Sequence, residues 1–174
     1  IIEGEDGNPK PISQQQPNDK KIIGNGLPKY YLNWNNSIHF KNFDLGITMR
    51  GAFDFQVLNI PALQYAAPVM MSRGNVLRKA FEDVYDQELQ YVSYYVEDGD
   101  YWKIDNVTLG YTFNVNSKWI QNFRIYGSVN NLATITGYSG IDPEVRILGL
   151  DPGVDDKNRY PMARTYTFGV SLKF

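Results

Sequence analysis

The chain has 174 residues, the size of a single domain, with 17 basic and 19 acidic residues for a net charge of -2. A pI near 5.4 and a charged fraction of 21%, with no run of like charge, argue against a nucleic-acid binder, an acidic tail or a polybasic membrane-surface segment. Zero Cys removes disulfides, thiolate nucleophiles and cysteine-ligated metals, and no apolar run is long enough for a transmembrane helix. A transmembrane β-barrel stays open, because its alternating strands average out as polar.

Thirteen Tyr, nine Phe and three Trp, punctuated by 15 Gly and 9 Pro, lean toward strands and turns. Residues 1–28 carry mostly loop chemistry, with Gly7-Asn8-Pro9, Pro11, Gln14 to Asp19, Gly24-Asn25-Gly26 and Pro28. They read as an irregular segment with at most short extended pieces. The opening Ile1-Ile2-Glu3-Gly4 has neither an initiator Met nor a signal segment, and it reads as a cut piece.

Leu32, Trp34, Ile38 and Phe40 share one parity, with Asn36 as the misfit, and a tight turn near Lys41 to Phe43 follows. From Phe43 to Val57 apolar and polar residues alternate, predicting one long strand. Residues 59–99 lose the alternation, and Asn75 to Glu82 carry the best helical pattern, with Asn75 as its cap. Alternation returns at Val107 to Val115 and at Phe123 to Asn130, lapses over 135–161, and ends in the cleanest strand, Thr165 to Phe174. Its apolar set is Tyr166, Phe168, Val170, Leu172 and Phe174; its other face is small and polar.

Short turns alternate with long loops, and the strands run to ten or more residues. That is the pattern of outer-membrane barrels, with short periplasmic turns, longer extracellular loops and aromatic girdles. A soluble β-sandwich also alternates, but its strands are usually about five or six residues long.

Several segments in order resemble the C-terminal end of the SusC/RagA family of TonB-dependent outer-membrane transporters. They are Ile22-Ile23-Gly24-Asn25 with Pro28-Lys29, Asp105 to Tyr111, Tyr126 to Leu132, Gly140 to Val145, and Tyr160-Pro161 through Arg164 to Phe174. The resemblance implies the last five or so strands of a 22-stranded barrel over 29–174, with outer loops at about 59–99 and 135–161 and residues 1–28 as an extracellular loop segment. It also implies a bacterial outer-membrane location. The implied partners are the plug and earlier strands of the same transporter, a SusD-like surface lipoprotein as lid, the TonB complex through the missing N-terminal part, the barrel-assembly machinery and outer-membrane lipid. The aromatic ending Tyr166, Phe168, Val170, Leu172, Phe174 resembles the signal that the assembly machinery reads.

Loop aromatics Tyr65, Tyr85, Tyr91, Tyr94, Tyr95 and Trp102 offer stacking faces for sugar rings, and Arg73, Arg78, Arg146 and Arg159 offer hydroxyl or carboxylate donors. Of these, Tyr65, Tyr91, Tyr94, Tyr95, Trp102 and Arg146 form the expected substrate-binding set. The plainer reading is that they pack the loops together or touch the lid. Asp151, Asp155 and Asp156, and Glu97, Asp98 and Asp100, lack the spacing of a calcium loop and read as turn acids, so no metal and no cofactor is expected. Glu82, Asp83, Asp86 and Glu88 have no spacing that enforces a glycosidase pair, and the single His39 supports neither a triad nor a metal cluster. The expectation is therefore a non-enzymatic importer of oligosaccharides, or of peptides. A secreted glycan-binding β-sandwich and a passive porin stand as alternatives.

Overall fold

The alternating segments form a meander. In the computed structural model, which describes residues 2–3, 5, 7–81, 89, 91–115, 119–145, 150–157 and 160–174, the strands in chain order are β1 (Ile2–Glu3), β2 (Pro9–Lys10), β3 (Tyr30–Phe40), β4 (Phe43–Phe53), β5 (Gln56–Asn59), β6 (Val96–Asp98), β7 (Tyr101–Asn114), β8 (Asn122–Thr136), β9 (Val154–Asp155) and β10 (Thr165–Lys173). The five long ones make an antiparallel sheet ordered β10-β8-β7-β4-β3. β1 and β2 form a small hairpin of their own.

Register sorts the side chains into rows. Phe43, Tyr111, Ile125 and Val170 share one row of the apolar face, and Leu45, Leu109, Gly127 and Phe168 share the next. The polar face carries Ser37, His39, Thr48, Asn106, Thr108, Ser128, Thr167 and Ser171 in the alternate positions, as period-two alternation requires. Asn36 keeps its apolar-face position opposite Ile47, and nothing in the structure explains it. The turn at Lys41 closes with φ of 54°, joining β3 to β4 at Phe40 and Phe43.

Three expectations are corrected. The alternation from Phe43 to Val57 is not one strand: Asp54 takes φ of 61°, which ends β4 and sends β5 into a separate three-stranded sheet, β6-β5-β9. Lys29 braces this corner, its Nζ 2.7 Å from the Asp54 carboxylate. β7 starts at Tyr101, well before Val107, because a register shift between Ile104 and Asn106 flips the parity and hides the upstream half of the strand. The α-helix lies at Ile60–Tyr65 (α1) and not at 75–82, where only a 3-10 turn, Arg78–Phe81, forms among the described residues. Asn59 caps α1 by accepting from the Ala62 N–H at 2.8 Å, and Pro61 fits the first turn, where an unpaired N–H is no loss.

The buried core lies at the loop end of the long sheet and within the loops. Ala52, Phe55, Val57, Tyr101, Tyr138 and Val145 form one cluster where β4 and β7 meet the loops. Ile60, Ala62, Leu63, Ala66 and Tyr95 form a second within the loops. The long loops thus form a folded layer with its own buried interior. Gly26 and Gly153 cross so closely that a Cβ on Gly26 would lie 2.1 Å from the Pro152 carbonyl, so residues 24–26 are threaded into this layer. By contrast the long sheet leaves Leu32, Trp34, Phe43, Leu109, Phe168 and Val170 exposed. Among the described residues no helix is long and apolar enough to cross a membrane, a fact that says nothing about strands.

Candidate functional site

Among the described residues a cluster of charges lies on the polar face below the loop layer. Arg50 of β4 donates to Asp105 of β7 at 2.8 Å and forms a fork with Glu144, its second arm at 2.9 Å. Lys103 of β7, only 5% exposed, donates to Asp142 at 2.9 Å and Glu144 at 2.7 Å, and its ammonium sits 5.4 Å from the Tyr101 ring centre. Two cations from the sheet therefore hold a strap, residues 138–145, against the wall. Pro143, Val145 and Tyr138 are buried beside it, so the strap is fastened by charge and by packing together. Burial pushes the Glu144 carboxyl up, but hydrogen bonds from Arg50 and Lys103 outweigh it and hold the group below the ordinary carboxylate value.

A second polar-face pair sits nearer the short turns. Arg124 of β8 forks onto Asp44 of β4, reaching across β7 over Gly110, and lies 4.9 Å from the Tyr126 ring centre. Glycine is required beneath: a Cβ on Gly110 would meet Arg124 at 2.4 Å, and one on Gly169 would meet the Tyr126 ring at 2.2 Å. Between the two pairs runs an uncharged ladder, Asn106 to Ser128 at 2.9 Å and to Asn130 at 2.7 Å, with Thr108 to Ser128 at 2.8 Å. The face is thus polar, satisfied and wettable.

The described members of the expected binding set lie in three different places. Tyr65, Tyr91 and Tyr94 are exposed on the loop layer, Tyr94 within 5.5 Å of the Lys79 ammonium. Tyr95 is 3% exposed and its ring belongs to the loop core. Trp102 lies on the apolar face of β7, level with Gly51 and Ile135 and 5.9 Å from the Phe53 ring. Arg146, Tyr85, Arg159 and the acids at 82–88 fall outside the described residues.

The turn acids are occupied by protein donors. Asp155 accepts from the Tyr138 hydroxyl at 2.8 Å, and Glu97 accepts from Asn59 and from the Ser139 hydroxyl and N–H. Among the described residues no group of three or more His, Cys, Asp or Glu is placed to hold a metal.

The strap charges were missed by motif reasoning. The signal that could have found them is that Arg50 and Lys103 are long cations among small polar and apolar residues, and that Asp142 and Glu144 flank Pro143.

On the apolar face, aromatics concentrate at both ends of the sheet. Phe43, Tyr111, Phe113 and Phe123 make a continuous chain of rings, with successive centres 4.7, 4.6 and 5.4 Å apart, at the short-turn end. Tyr30, Phe53 and Trp102 mark the loop end. Along β4 the two belts are about 33 Å apart at ~3.3 Å per residue, or about 25 Å across a layer for a strand tilted by ~40°. That matches the apolar band of an outer-membrane barrel.

A strand wall with one apolar banded face and one polar face defines a segment of a transmembrane β-barrel. Comparison with known proteins is consistent with it. No protein-family model matches the chain. It is 30% identical to the TonB-dependent receptor P3 of Formosa agariphila over 178 residues, covering 90% of this chain and 17% of that protein. It is 29% identical to the TonB-dependent receptor SusC of Bacteroides thetaiotaomicron, covering 90% of this chain and 16% of SusC. Among solved structures it superposes on the RagAB peptide importer in its closed-closed state with a TM-score of 0.77 at 20% identity, covering 97% of this chain and 20% of that one. The chain is homologous to a segment of the SusC-type TonB-dependent receptors and has the fold of the corresponding barrel wall. It spans about a sixth of the length of those receptors.

Proposed function

We propose that the chain forms the wall and part of the outer loop layer of a TonB-dependent importer in the bacterial outer membrane, taking up oligosaccharides beneath a SusD-like lid lipoprotein. The observation that carries this reading is the pair of aromatic belts bounding an apolar face of membrane height, with a polar face on the opposite side of the same sheet. On this reading the last five strands, 29–174, close against earlier strands of the same transporter, because an open sheet edge in lipid leaves backbone groups unpaired. The plug and the TonB contact lie in parts of the protein outside this chain. Tyr65, Tyr91 and Tyr94 are the exposed loop rings that would meet a sugar face or the lid, and the ending Tyr166 to Phe174 serves as the assembly signal.

A peptide importer is the second reading, favoured by the likeness to RagAB, which is described as a peptide importer. The test is to purify the assembly from its native membrane in mild detergent, identify every co-purifying polypeptide, and measure uptake of labelled oligosaccharides and peptides by cells with and without it. A larger barrel fragment, a lipoprotein and sugar uptake are expected. Peptide uptake alone would replace sugar as the substrate class, and a soluble monomer would overturn the transporter reading.

A further inference from the structure

β7 carries one residue too many. Thr48 and Met49 of β4 pair with Asn106 and Ile104, and Asn130 and Ala133 of β8 pair with the same two residues, so Asp105 has no partner in either ladder. Bulges of this kind re-aim a side chain and are frequent next to functional sites. Opposite it, Asn131 takes φ of 52°, a left-handed conformation that Asn tolerates and most residues avoid. Its side-chain amide donates to the Ala163 carbonyl at 2.9 Å, and the Arg164 Nε donates to the Asn131 carbonyl at 3.4 Å. The segment before β10 is thereby held beside the bulge.

Between the bulge, this segment and the strap lies a cavity of about 160 Å³. That is well under the ~300 Å³ at which pockets for drug-sized ligands begin, so it takes one ring or one side chain of a larger molecule. Its lining keeps bonding capacity that the protein does not use. Asp105 gives one oxygen to Arg50, and the other accepts nothing among the described residues. Arg164 uses only its Nε, in the long bond to Asn131, and the Thr134 hydroxyl has no partner among the described residues. Ile141 and Met162, both largely exposed, add apolar wall.

Charge narrows the occupant. Among the described residues of this network three cations, Arg50, Lys103 and Arg164, meet three acids, Asp105, Asp142 and Glu144, so the net charge is zero. A charged group entering the cavity would find no counter-charge left over. A hydroxyl donates once and accepts twice, so neighbouring hydroxyls match a carboxylate oxygen beside guanidinium N–H groups without adding charge. A peptide unit points its N–H and C=O in opposite directions and suits a strand edge instead.

We propose that this cavity binds one neutral hexose ring of an oligosaccharide, its hydroxyls shared between Asp105 and Arg164 and its C–H face against Ile141 and Met162. This inference rests on the proposed uptake of oligosaccharides, and it puts a sugar contact on the wall itself, away from the loop tyrosines.

The test follows hydrogen exchange over 141–142 and 162–164, outside the long strands, in the intact receptor assembly in detergent. Glucose, galactose, mannose, glucuronate and the dipeptide alanylalanine are added in turn. Slower exchange with at least one neutral hexose is expected, and none with glucuronate or the dipeptide. Arg164→Gln should weaken that hexose about tenfold, the loss of one charge-assisted hydrogen bond. Thr134→Phe, which fills the cavity from an exposed wall position, should abolish the effect and leave exchange in β7 and β8 unchanged; if it disturbs the sheet, Arg164→Gln decides alone. Protection by glucuronate or the dipeptide ahead of every hexose would overturn the neutral-sugar assignment. No protection by any hexose, or protection that both variants leave intact, would overturn the site. Uptake of labelled oligosaccharides by wild-type cells separates the two readings: uptake without protection sinks the cavity alone, and absence of uptake sinks the sugar importer on which it rests.

Discussion

Lys103 is the buried charge on which the polar face turns. Its ammonium is fully compensated only while Asp142 and Glu144 stay in place, and a buried pair that loses one member costs about 3–5 kcal/mol. Lys103→Met should therefore loosen the strap by about 3 kcal/mol, read as faster hydrogen exchange over 138–145, with the five long strands still protected. The sign of the acid response follows from Glu144. Its carboxyl is held below its ordinary value, so the strap's stability is complete above the unfolded value of about 4.3 and is lost as pH falls through the depressed folded value. Cleavage within 138–145 by pepsin, normalised to the enzyme's own pH profile, should rise at the acid end of that range, and Glu144→Gln should weaken that rise.

Among the elements, β8 and β10 are keyed together by size. The Tyr126 ring occupies the space left by Gly169, so Gly169→Ala forces a contact at 2.2 Å and should destabilise the pairing by about 1–3 kcal/mol. The expected outcome is a reduced folded fraction on semi-native gels, restored when Tyr126→Ala is added. For α1, Asn59→Ala removes the cap and a hydrogen bond to Glu97 together, and should cost about 1–2 kcal/mol, measured as earlier local opening of 59–66. The long strands could be read from the sequence because their two faces differ in chemistry at every second residue. Reading failed where parity slipped, at Asp54 and Asp105, since one residue in excess inverts the pattern without changing composition. α1 escaped notice because six residues give less than two turns of periodicity, although Asn59 and Pro61 signalled its start. The strap was invisible for a different reason: Glu144 finds Arg50 at 94 residues' separation, a distance over which spacing carries no information.

For the whole molecule, the long sheet ends in β3 and β10, whose outer edges pair with no further strand among the described residues. Ending the protein after Arg164 removes β10 and exposes the edge of β8. Such a variant should fail to reach the folded, detergent-extractable state, and pulse-labelled protein should be degraded instead. Replacing Phe168 and Phe174 by Ser while keeping the strand length separates the aromatic ending from mere pairing. Accumulation of unassembled chain in that variant is expected if the ending is read as a signal, and normal assembly would count against it.

The loop layer also sets where the protein can carry foreign sequence. Gly74 lies in the exposed bend between Ser72 and Asn75 with open space around its Cα, whereas Gly99 is pressed on Phe55 and Gly153 on Gly26. A peptide tag spliced at Gly74 therefore displaces solvent, while one spliced at Gly99 or Gly153 displaces the fold. The bend is the natural graft point for displaying an epitope, and the turns at Gly99 and Gly153 are not.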